Sequence, residues 1–475
     1  MSLADTVATR CRDTWRSEIV AALSDYIRIP NVSRNFDPDW KSNGHMDRAT
    51  ELIRAWCAER SIAGLSVEVH ELPGLSPVIL MEIPAFGEDP PAGTVLFYGH
   101  LDKQPEMTGW REGLGPWTPV IEHNRLYGRG GADDGYAAFG SLAAIESLQA
   151  AGGRHARCVV LIEASEESGS CDLPPYLDVL GDRLGTPELV LCLDSGCLDD
   201  RHLWVTTSLR GLVAGTLTVE ILTEGRHSGE ASGVAPSSFR ILRQLLDRVE
   251  ELSTGRLLLP ELHVEIPADR AAQARDTAAS FDRPAADNLP FVAGAQPAVT
   301  DPTDQLLART WWPTLSVIGA DGLPPTGRAG NVLRPSTSLK LSVRIPPTCD
   351  PDRALAALTA ALTDDPPYGA AVRFDHAEAG PGWNAPTFAP WLSEALDAAS
   401  LATFGQPSRA MGEGGSIPFM GMLGRRFPDA QFVVTGVLGP GSNAHGPNEY
   451  LDLAAAEHVT AVLALVLDAH ARHTE

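Results

Sequence analysis

Apolar runs alternate with amphipathic stretches through the first part of the chain, and this alternation predicts strands and helices in turn. Helical spacing covers roughly 5–27, 46–60 and 135–151. Strand-like apolar runs lie at roughly 65–71, 78–83, 95–99, 159–163 and 189–193. Continuous apolar strands between helices are typical of a mostly parallel sheet covered on both faces. We therefore predict an α/β fold class.

The pattern changes after about Leu209. Alternating strands at 213–221, 314–318, 339–345 and 371–376 are mixed with helical stretches near 237–252 and 352–362. The segment 267–302 is rich in Ala, Asp and Pro and indicates no element. From about Trp383 the α/β pattern returns, and it ends in a helix from Asp452 onward. These changes predict one domain, residues 1–208 and 383–475, interrupted by an inserted α+β domain, residues 209–382.

Composition limits the possible partners. The 475 residues carry a formal charge of −24, which argues against nucleic-acid binding. Lysine occurs only at positions 41, 103 and 340, which argues against Schiff-base chemistry. We expect no signal peptide and no membrane span, because the start of the chain lacks an apolar region and no apolar run is long enough. Seven scattered cysteines indicate reduced thiols in a cytoplasmic protein.

Candidate chemistry lies in five short segments beside glycines or at the ends of apolar runs. They read GHLDKQP (99–105), GRGGADDG (128–135), EASEESGS (163–170), LCLDSG (191–196) and GSNAHGPNE (441–449). Together they supply two histidines and several carboxylates. This donor set suits a pair of Zn²⁺-class ions with an activatable water between them.

The first two segments each allow a second interpretation. His100 and Asp102 are alternate residues of an extended run, so the aspartate can support the imidazole; the pair is also typical of a strand end. Asp133 and Asp134 precede a predicted helix. One of them can bridge two metal ions, or it can simply be the N-cap of that helix.

The remaining segments are equally open when each is taken alone. In the adjacent pair Glu166 and Glu167, one residue can bind a metal while the other accepts a proton, or both can be solvated. Asp194 ends an apolar strand, where a carboxylate is paired, bound to a metal or caps a turn. His445 lies in a Gly/Ser/Asn/Pro-rich loop, where a single histidine is usually just exposed.

The ordered set of motifs resembles a known family. IRIPNVS, LYGRGGADDG, GRHSG, GEGGSIP and AHGPNE, added to the segments above, are similar to motifs of the dinuclear zinc metallopeptidases. That family includes carnosinases, cytosolic non-specific dipeptidases, aminoacylases and carboxypeptidase G. GHLDKQP and the stretch 110–134 most resemble the carnosinase-like dipeptidase branch.

The resemblance implies two divalent metal ions per subunit, with Zn²⁺ first and Mn²⁺ or Co²⁺ as alternatives. It implies these roles: His100 and Asp194 on one metal, Glu167 and His445 on the other, Asp133 as the bridge, Asp102 as support and Glu166 as the general base. It also implies a cis peptide bond after Asp133.

The resemblance makes the inserted domain a lid and dimerisation domain. It implies that His227 donates to the developing oxyanion across a homodimer, although the residue by itself is typical of an exposed loop. Asn331 and Arg344 are implied to contact the substrate, with the guanidinium on its carboxylate. Glu413, Gly415 and Ser416 resemble a substrate-binding loop, which is otherwise an ordinary turn.

The chain departs from the family pattern at one position. The family usually has DDKG where this sequence has DDGY, so Gly135 replaces a lysine. No implied metal ligand is lost, but the charge near the bridging carboxylate becomes less positive. We expect an effect on substrate preference or metal affinity.

The implied function is a metal-dependent hydrolase that cleaves the amide bond of dipeptides or small peptides. The alternative is an aminoacylase or carboxypeptidase that acts on N-acyl amino acids with the same metal residues. A catalytically silent binding protein is disfavoured, because all five implied ligands and Glu166 are present.

Overall fold

The computed structural model describes residues 2–88, 92–280, 286 and 289–473. They form two compact units. Unit 1 contains Met1–Thr207, Ala385–Ala410 and Met422–Glu475; unit 2 contains Ser208–Asn384 and Met411–Gly421. The assignment of a catalytic and a lid domain stays a prediction.

Helices occupy much of the described chain. The α-helices are α1 (Leu3–Thr14), α2 (Val20–Ile27), α3 (His45–Ala58), α4 (Tyr136–Ala150), α5 (Leu173–Val179), α6 (Gly181–Leu184), α7 (Ser228–Ala231), α8 (Ser238–Leu246), α9 (Ala268–Ser280), α10 (Pro302–Thr310), α11 (Pro351–Thr363), α12 (Pro390–Thr403), α13 (Pro418–Arg426) and α14 (Leu453–His473). A π-helical turn, Trp15–Ile19, makes α1 and α2 continuous, as the predicted helix over 5–27 requires.

Strands supply the sheets. They are β1 (Ser66–His70), β2 (Val78–Ile83), β3 (Thr94–His100), β4 (Val120–Glu122), β5 (Arg125–Tyr127), β6 (Arg157–Glu163), β7 (Leu189–Cys192), β8 (Trp204–Leu209), β9 (Gly211–Glu220), β10 (Arg226–His227), β11 (Thr314–Asp321), β12 (Val332–Leu333), β13 (Ser336–Ile345), β14 (Ala371–Gly380), β15 (Trp383–Asn384), β16 (Arg409–Glu413), β17 (Gln431–Val434) and β18 (Tyr450–Asp452).

Unit 1 is built on a sheet in which the strand order is β1-β2-β6-β3-β7-β17-β8. The central pairs β6–β3, β3–β7 and β7–β17 are parallel. The outer pairs β1–β2, β2–β6 and β17–β8 are antiparallel. Every residue of β3 is buried, which requires cover on both faces because side chains alternate along a strand. The predicted α/β fold class with a mostly parallel central sheet is confirmed, with antiparallel edges added.

The core of unit 1 contains helices without a polar stripe. α4 is buried on nearly all sides, and α14 packs against α1, α4 and α12. The Trp15 indole donates to the Thr460 hydroxyl at 2.8 Å and ties the first helical segment to α14. α14 is long and apolar enough to cross a membrane by length and composition, but 78% of its most apolar window is buried inside the protein. That burial is typical of a core helix.

Unit 2 contains an antiparallel sheet in the order β11-β13-β9-β14. Its central strand β13 alternates buried and less buried residues, as expected for a sheet with one face on a core. Helices α8 and α11 pack on that face and share a core with Val213, Leu217 and Leu341. The strands and helices predicted for the α+β insertion are thus present, and all three strand pairs of this sheet are antiparallel.

Two details of the insertion differ from the sequence predictions. The helix expected over 237–252 ends at Leu246, because the chain turns there to bridge Glu250 with Leu257. The unassigned segment 267–302 contains α9, and α10 begins at its last residue. Residues 281–285 and 287–288 of that segment lie outside the described part of the chain.

Candidate metal centre and active site

Three neighbouring parallel strands bring predicted site residues to one edge of the unit 1 sheet. His100 is the last residue of β3, and Asp194 follows β7 by two residues. Glu166 and Glu167 follow β6 in a single 3₁₀ turn. Because β6, β3 and β7 are adjacent and parallel, these residues meet at the carboxyl ends of the strands, where open α/β sheets bind ligands.

A first cluster joins His100, Asp133 and Asp194. The His100 Nε2 atom lies 3.4 Å from Asp133 Oδ1 and 3.9 Å from Asp194 Oδ2. All three residues are buried, and their donor atoms lie within 4.8 Å of one another. This is a group that could hold one metal ion.

A second cluster joins Asp133, Glu167 and His445. The His445 Nε2 atom lies 3.1 Å from Asp133 Oδ2 and 3.3 Å from Glu167 Oε2. Asp133 therefore offers one carboxylate oxygen to each cluster. The two clusters share this residue and no other, which is the arrangement expected of a bridging carboxylate.

Two unpaired atoms support a cation at these clusters. His100 Nε2 and Glu167 Oε1 are buried and have no hydrogen-bond partner among the described residues. Buried polar atoms are nearly always satisfied by protein, water or an ion, so these two indicate a missing partner. Imidazole and carboxylate donors suit Zn²⁺ and similar divalent ions.

Asp102 holds both the imidazole and the glutamate pair. Its carboxylate accepts from the backbone N–H of Glu166 at 3.1 Å and of Glu167 at 3.0 Å. His100 Nδ1 lies 3.1 Å from the Asp102 carbonyl oxygen and 3.4 Å from Asp102 Oδ1. The sequence predicts the contact with His100, but the bonds to the glutamate backbone are visible only in the structure.

The Asp133–Asp134 peptide bond is cis, so this expectation is confirmed. Asp134 Oδ2 accepts from the His100 backbone N–H at 3.2 Å. Neither aspartate caps α4, which has no side-chain N-cap bond. The interpretation of the pair as an N-cap is therefore wrong, because both side chains face the histidine cluster instead.

Burial and like charges act together on the glutamate pair. Burial raises the pKa of Glu166 well above its ordinary value, and the charges of Asp194 and Asp102 raise it further. Burial and the charge of Asp133 raise the pKa of Glu167 in the same way. A carboxylate with a raised pKa is a better proton acceptor than a solvated one.

The bridging carboxylate and its second histidine are shifted toward their charged forms. Burial opposes the charge on Asp133, but the neighbouring imidazoles of His100 and His445 outweigh it and lower the pKa of Asp133. Burial also opposes the charge on His445, but the hydrogen bond to Asp133 and the charge of Glu167 raise its pKa to about 9. The contact between His445 and Asp133 is therefore an ion pair.

Sequence analysis missed several residues that hold the site. Gln104 Nε2 donates to Glu167 Oε2 at 2.7 Å and so fixes the direction of that carboxylate. Tyr98 donates to Glu163 at 2.7 Å beside the same strand ends. Both Gln104 and Glu163 stand in the motifs quoted above, but nothing in the pattern distinguishes them from surface polar residues.

A buried ion pair anchors the His445 loop. Arg129 binds the carboxylate of Glu449 and donates to the Gly446 carbonyl at 2.9 Å. Glu449 also accepts from the Gly130 backbone N–H at 2.8 Å. The loop is therefore fastened to the segment that leads to Asp133, although the His445 side chain itself is 56% exposed.

Packing explains the departure at Gly135. A Cβ atom there would lie 2.2 Å from the Tyr26 ring and 2.5 Å from the Gly130 carbonyl oxygen. No side chain fits without displacing one of them. Tyr26 is fixed in turn, because its hydroxyl donates to the Leu101 carbonyl at 2.6 Å. The glycine is therefore matched to a tyrosine more than 100 positions away.

In unit 2, His227 and Asn331 are neighbours. His227 pairs with Val332 in the two-stranded β10–β12 ladder, and the Asn331 carbonyl accepts from Ser228 at 2.9 Å. The His227 Nδ1 atom accepts from the Gly229 N–H at 3.1 Å. Both predicted residues are exposed within the described chain.

The other predicted residues of unit 2 lie on β13 and after β16. Arg344 stands on β13 between the register partners Leu212 and Thr314, and burial lowers its pKa. Glu413 ends β16, and Gly415 and Ser416 follow it directly.

The fold and the paired clusters define a class, an α/β protein with a two-cation site at the strand ends of its central sheet. Residues 96–469 match the Peptidase family M20/M25/M40, and the chain belongs to this family of hydrolases.

Three relatives illustrate the similarity. The chain is 26% identical to the cysteinylglycine-S-conjugate dipeptidase of Corynebacterium striatum over 415 residues, 87% of this chain and 89% of the relative. It is 27% identical to the Cys-Gly metallodipeptidase DUG1 of Saccharomyces cerevisiae over 468 residues, 93% of both chains. The solved structure of the yeast di-peptidase Dug1p has a TM-score of 0.78 at 22% identity, over 99% of both chains. Human carnosine dipeptidase 1 has a TM-score of 0.76 at 20% identity, also over 99% of both. At these identities the solved structures establish the fold alone.

Proposed function

We propose that this protein is a metal-dependent dipeptidase that hydrolyses the amide bond of dipeptides or small peptides. The observation that carries the proposal is the position of Asp133, whose two oxygens face different histidines while Asp194 and Glu167 complete the two clusters. The names of the relatives support dipeptides as the substrate class.

Two divalent ions would be held by His100 with Asp194 and by Glu167 with His445, with Asp133 shared. When bound, such ions supply Lewis-acid activation of a water molecule and of the scissile carbonyl. We propose Zn²⁺, with Mn²⁺ and Co²⁺ as alternatives suited to the same donors.

Glu166 is the proposed general base. It stands beside the clusters with a raised pKa and is not a member of either donor group. It takes the proton of the attacking water and returns it to the departing amine, so one carboxyl group serves as base and then as acid. Asp102 keeps Glu166 in place through the backbone bond at 3.1 Å.

We propose that unit 1 is the catalytic domain and unit 2 a lid and dimerisation domain. In a homodimer, His227 would donate to the oxyanion that develops on the substrate bound by the partner subunit. Arg344, Asn331 and the loop Glu413–Ser416 would bind the substrate. Exposure of His227 in the single chain supports this role, because its imidazole is free to reach another surface.

We propose a cytoplasmic location, without nucleic-acid or membrane partners. The seven cysteines are all free, which suits a reducing compartment. The formal charge of −24 opposes binding to phosphate backbones.

The test is hydrolysis of a mixed panel by chelator-stripped protein, with and without Zn²⁺ or Mn²⁺. The panel contains Cys-Gly, β-Ala-His, other dipeptides and N-acyl amino acids. Metal-dependent release from free dipeptides is the expected result. Release only from acylated amino acids would replace the proposal with the aminoacylase or carboxypeptidase alternative. No release in spite of bound metal would overturn both.

A further inference from the structure

We propose that Arg210 is a positioning residue of unit 2. It holds the loop Glu413–Ser416 and the strand that carries Arg344 in one fixed arrangement, and so sets the affinity for the carboxylate end of the substrate. This inference rests on the proposed function, which assigns the loop and Arg344 to the substrate.

The first contact is with the loop. The backbone N–H of Arg210 donates to the Glu413 carbonyl at 3.3 Å, and its Nε donates to the Gly414 carbonyl at 3.2 Å. A Cβ atom at position 414 would lie 3.0 Å from Arg210 Nη2 and 2.9 Å from the carbonyl oxygen of Arg309. The glycine thus lets the loop approach the guanidinium closely.

The second contact is with the strand beside Arg344. Arg210 Nη1 donates to the Thr314 hydroxyl at 3.1 Å, and Thr314 is the register partner of Arg344 on β11. On the opposite side of β13, the partner of Arg344 is Leu212, two residues after Arg210. Arg210 is therefore linked to both strands that flank Arg344.

The third contact is with the end of α10 and the residues after it. Arg210 Nη1 also lies within hydrogen-bond distance of the carbonyl oxygens of Ala308, at 3.4 Å, and Trp312, at 3.3 Å. One side chain thus joins three segments that are about 100 to 200 positions away from it in sequence.

The contacts of Arg210 bind its guanidinium group but do not neutralise its positive charge. Arg210 is 9% exposed, and its hydrogen bonds to described residues go to carbonyl and hydroxyl oxygens rather than to a carboxylate. Burial, and then the charges of Arg344 and Arg309, lower the pKa of Arg210 to about 10. Buried cations are normally paired with an acid. Here a substrate carboxylate near Arg344 would supply the missing opposite charge.

The experiment compares Arg210→Lys with Arg309→Lys in the metal-loaded protein. Both variants replace a guanidinium with an ammonium, but Arg309 is exposed on the adjacent helix. Hydrogen exchange of the amides at 412 and 414–416 measures the loop, and KM and kcat for a dipeptide measure the consequence. In Arg210→Lys we expect faster exchange in the loop alone, a KM about ten-fold higher and a kcat within about three-fold of the parent. Arg309→Lys should leave all three unchanged.

The two readouts separate the possible failures. Unchanged loop exchange in Arg210→Lys would overturn the positioning role, whatever the substrate proves to be. Faster loop exchange with an unchanged KM would overturn the link to substrate affinity. A lower kcat at constant KM would overturn it as well, because that result is expected when the substitution only reduces the fraction of active protein. If the parent cleaves no dipeptide, the proposed function fails while the exchange result still decides the positioning.

A milder variant covers the case in which Arg210→Lys does not fold. Thr314→Val removes one acceptor of the guanidinium and keeps a β-branched side chain on β11, and Thr314→Ser is its control with the hydroxyl retained. A rise in KM of about three-fold for the valine variant alone would support the inference. Equal values for both variants would overturn it.

Discussion

In unit 1 the predicted metal ligands contact one another directly, and most of their side chains are buried. In unit 2 the predicted substrate residues His227 and Asn331 are exposed, on the two neighbouring segments of the short β10–β12 ladder. The donor atoms of both clusters in unit 1 come from five residues of this unit. The roles proposed for the exposed residues require a substrate or a second subunit.

This difference shows why the metal clusters of unit 1 can be recognised in a single chain, whereas the role of His227 and Asn331 in unit 2 cannot. Carboxylates and imidazoles are costly to bury, so their convergence in unit 1 indicates a group that could hold a cation. An exposed histidine has no such cost and is compatible with many roles. Arg210 differs from His227 and Asn331 in unit 2, because its charged side chain is buried.

The largest expected effect tests the buried side of this comparison. Glu166→Gln should lower kcat by about 10² to 10⁴-fold, because a general base contributes that much, while bound metal per chain stays the same. The measurement is dipeptide hydrolysis together with metal analysis. Glu394→Gln, the same change at an exposed position, is the control. An unchanged kcat would show that Glu166 is not the base.

The next effect tests the exposed side. His227→Asn should lower kcat by about 10² to 10³-fold through loss of an oxyanion donor, without loss of stability or metal. His376→Asn, at another exposed position of unit 2, should have no effect. Mixing His227→Asn with Glu166→Gln under subunit exchange should give more activity than either variant alone. If the mixture is no more active than the two separate variants, His227 does not act across a dimer.

A buried carboxylic acid gives a pH-dependent prediction for unit 1. Burial, and then the charge of Asp102, raise the pKa of Glu163 to about 7 from an ordinary value near 4.5. The folded state therefore binds this proton more tightly than the unfolded state. Its contribution favours folding below pH 4.5 and is lost as the pH rises to about 7.

Glu163→Gln removes this titration. Relative to the parent, its free energy of unfolding should increase by about 3 kcal/mol between pH 4.5 and pH 8. Urea unfolding of both proteins at several pH values measures the difference. A constant difference across this range would mean that folding does not raise the pKa of Glu163.

The smallest effect concerns the direction of one ligand. Gln104→Leu removes the donor to Glu167 at similar volume and should weaken metal affinity or activity by about 10 to 100-fold. Titration of stripped protein with Zn²⁺ measures the affinity. Gln406→Leu, at an exposed position of unit 1, is the matched control. Equal affinities would show that Glu167 is oriented without Gln104.

Most helices and strands, and the positions where chemistry is possible, can be predicted from the amino-acid sequence. Apolar runs set the strands β3, β6 and β7, and the polar residues that follow them were visible as His100, Glu166 and Asp194. This works because burial of both sheet faces requires a continuous apolar run, and a carboxylate at its end stands out against it. Asp133, Glu167 and His445 were candidates from their own segments as well, and the motif resemblance assigned their roles as metal ligands.

The choice between the alternative roles of these residues depends on how the chain folds. The tertiary structure turned Asp133 toward two histidines instead of the N-terminus of α4, and it paired Arg129 with Glu449 across 320 positions. It also placed Tyr26 where a side chain at Gly135 would lie, and Arg210 against three separate segments. These features depend on contacts between residues far apart in the chain, and local hydrophobic periodicity carries no information about such contacts.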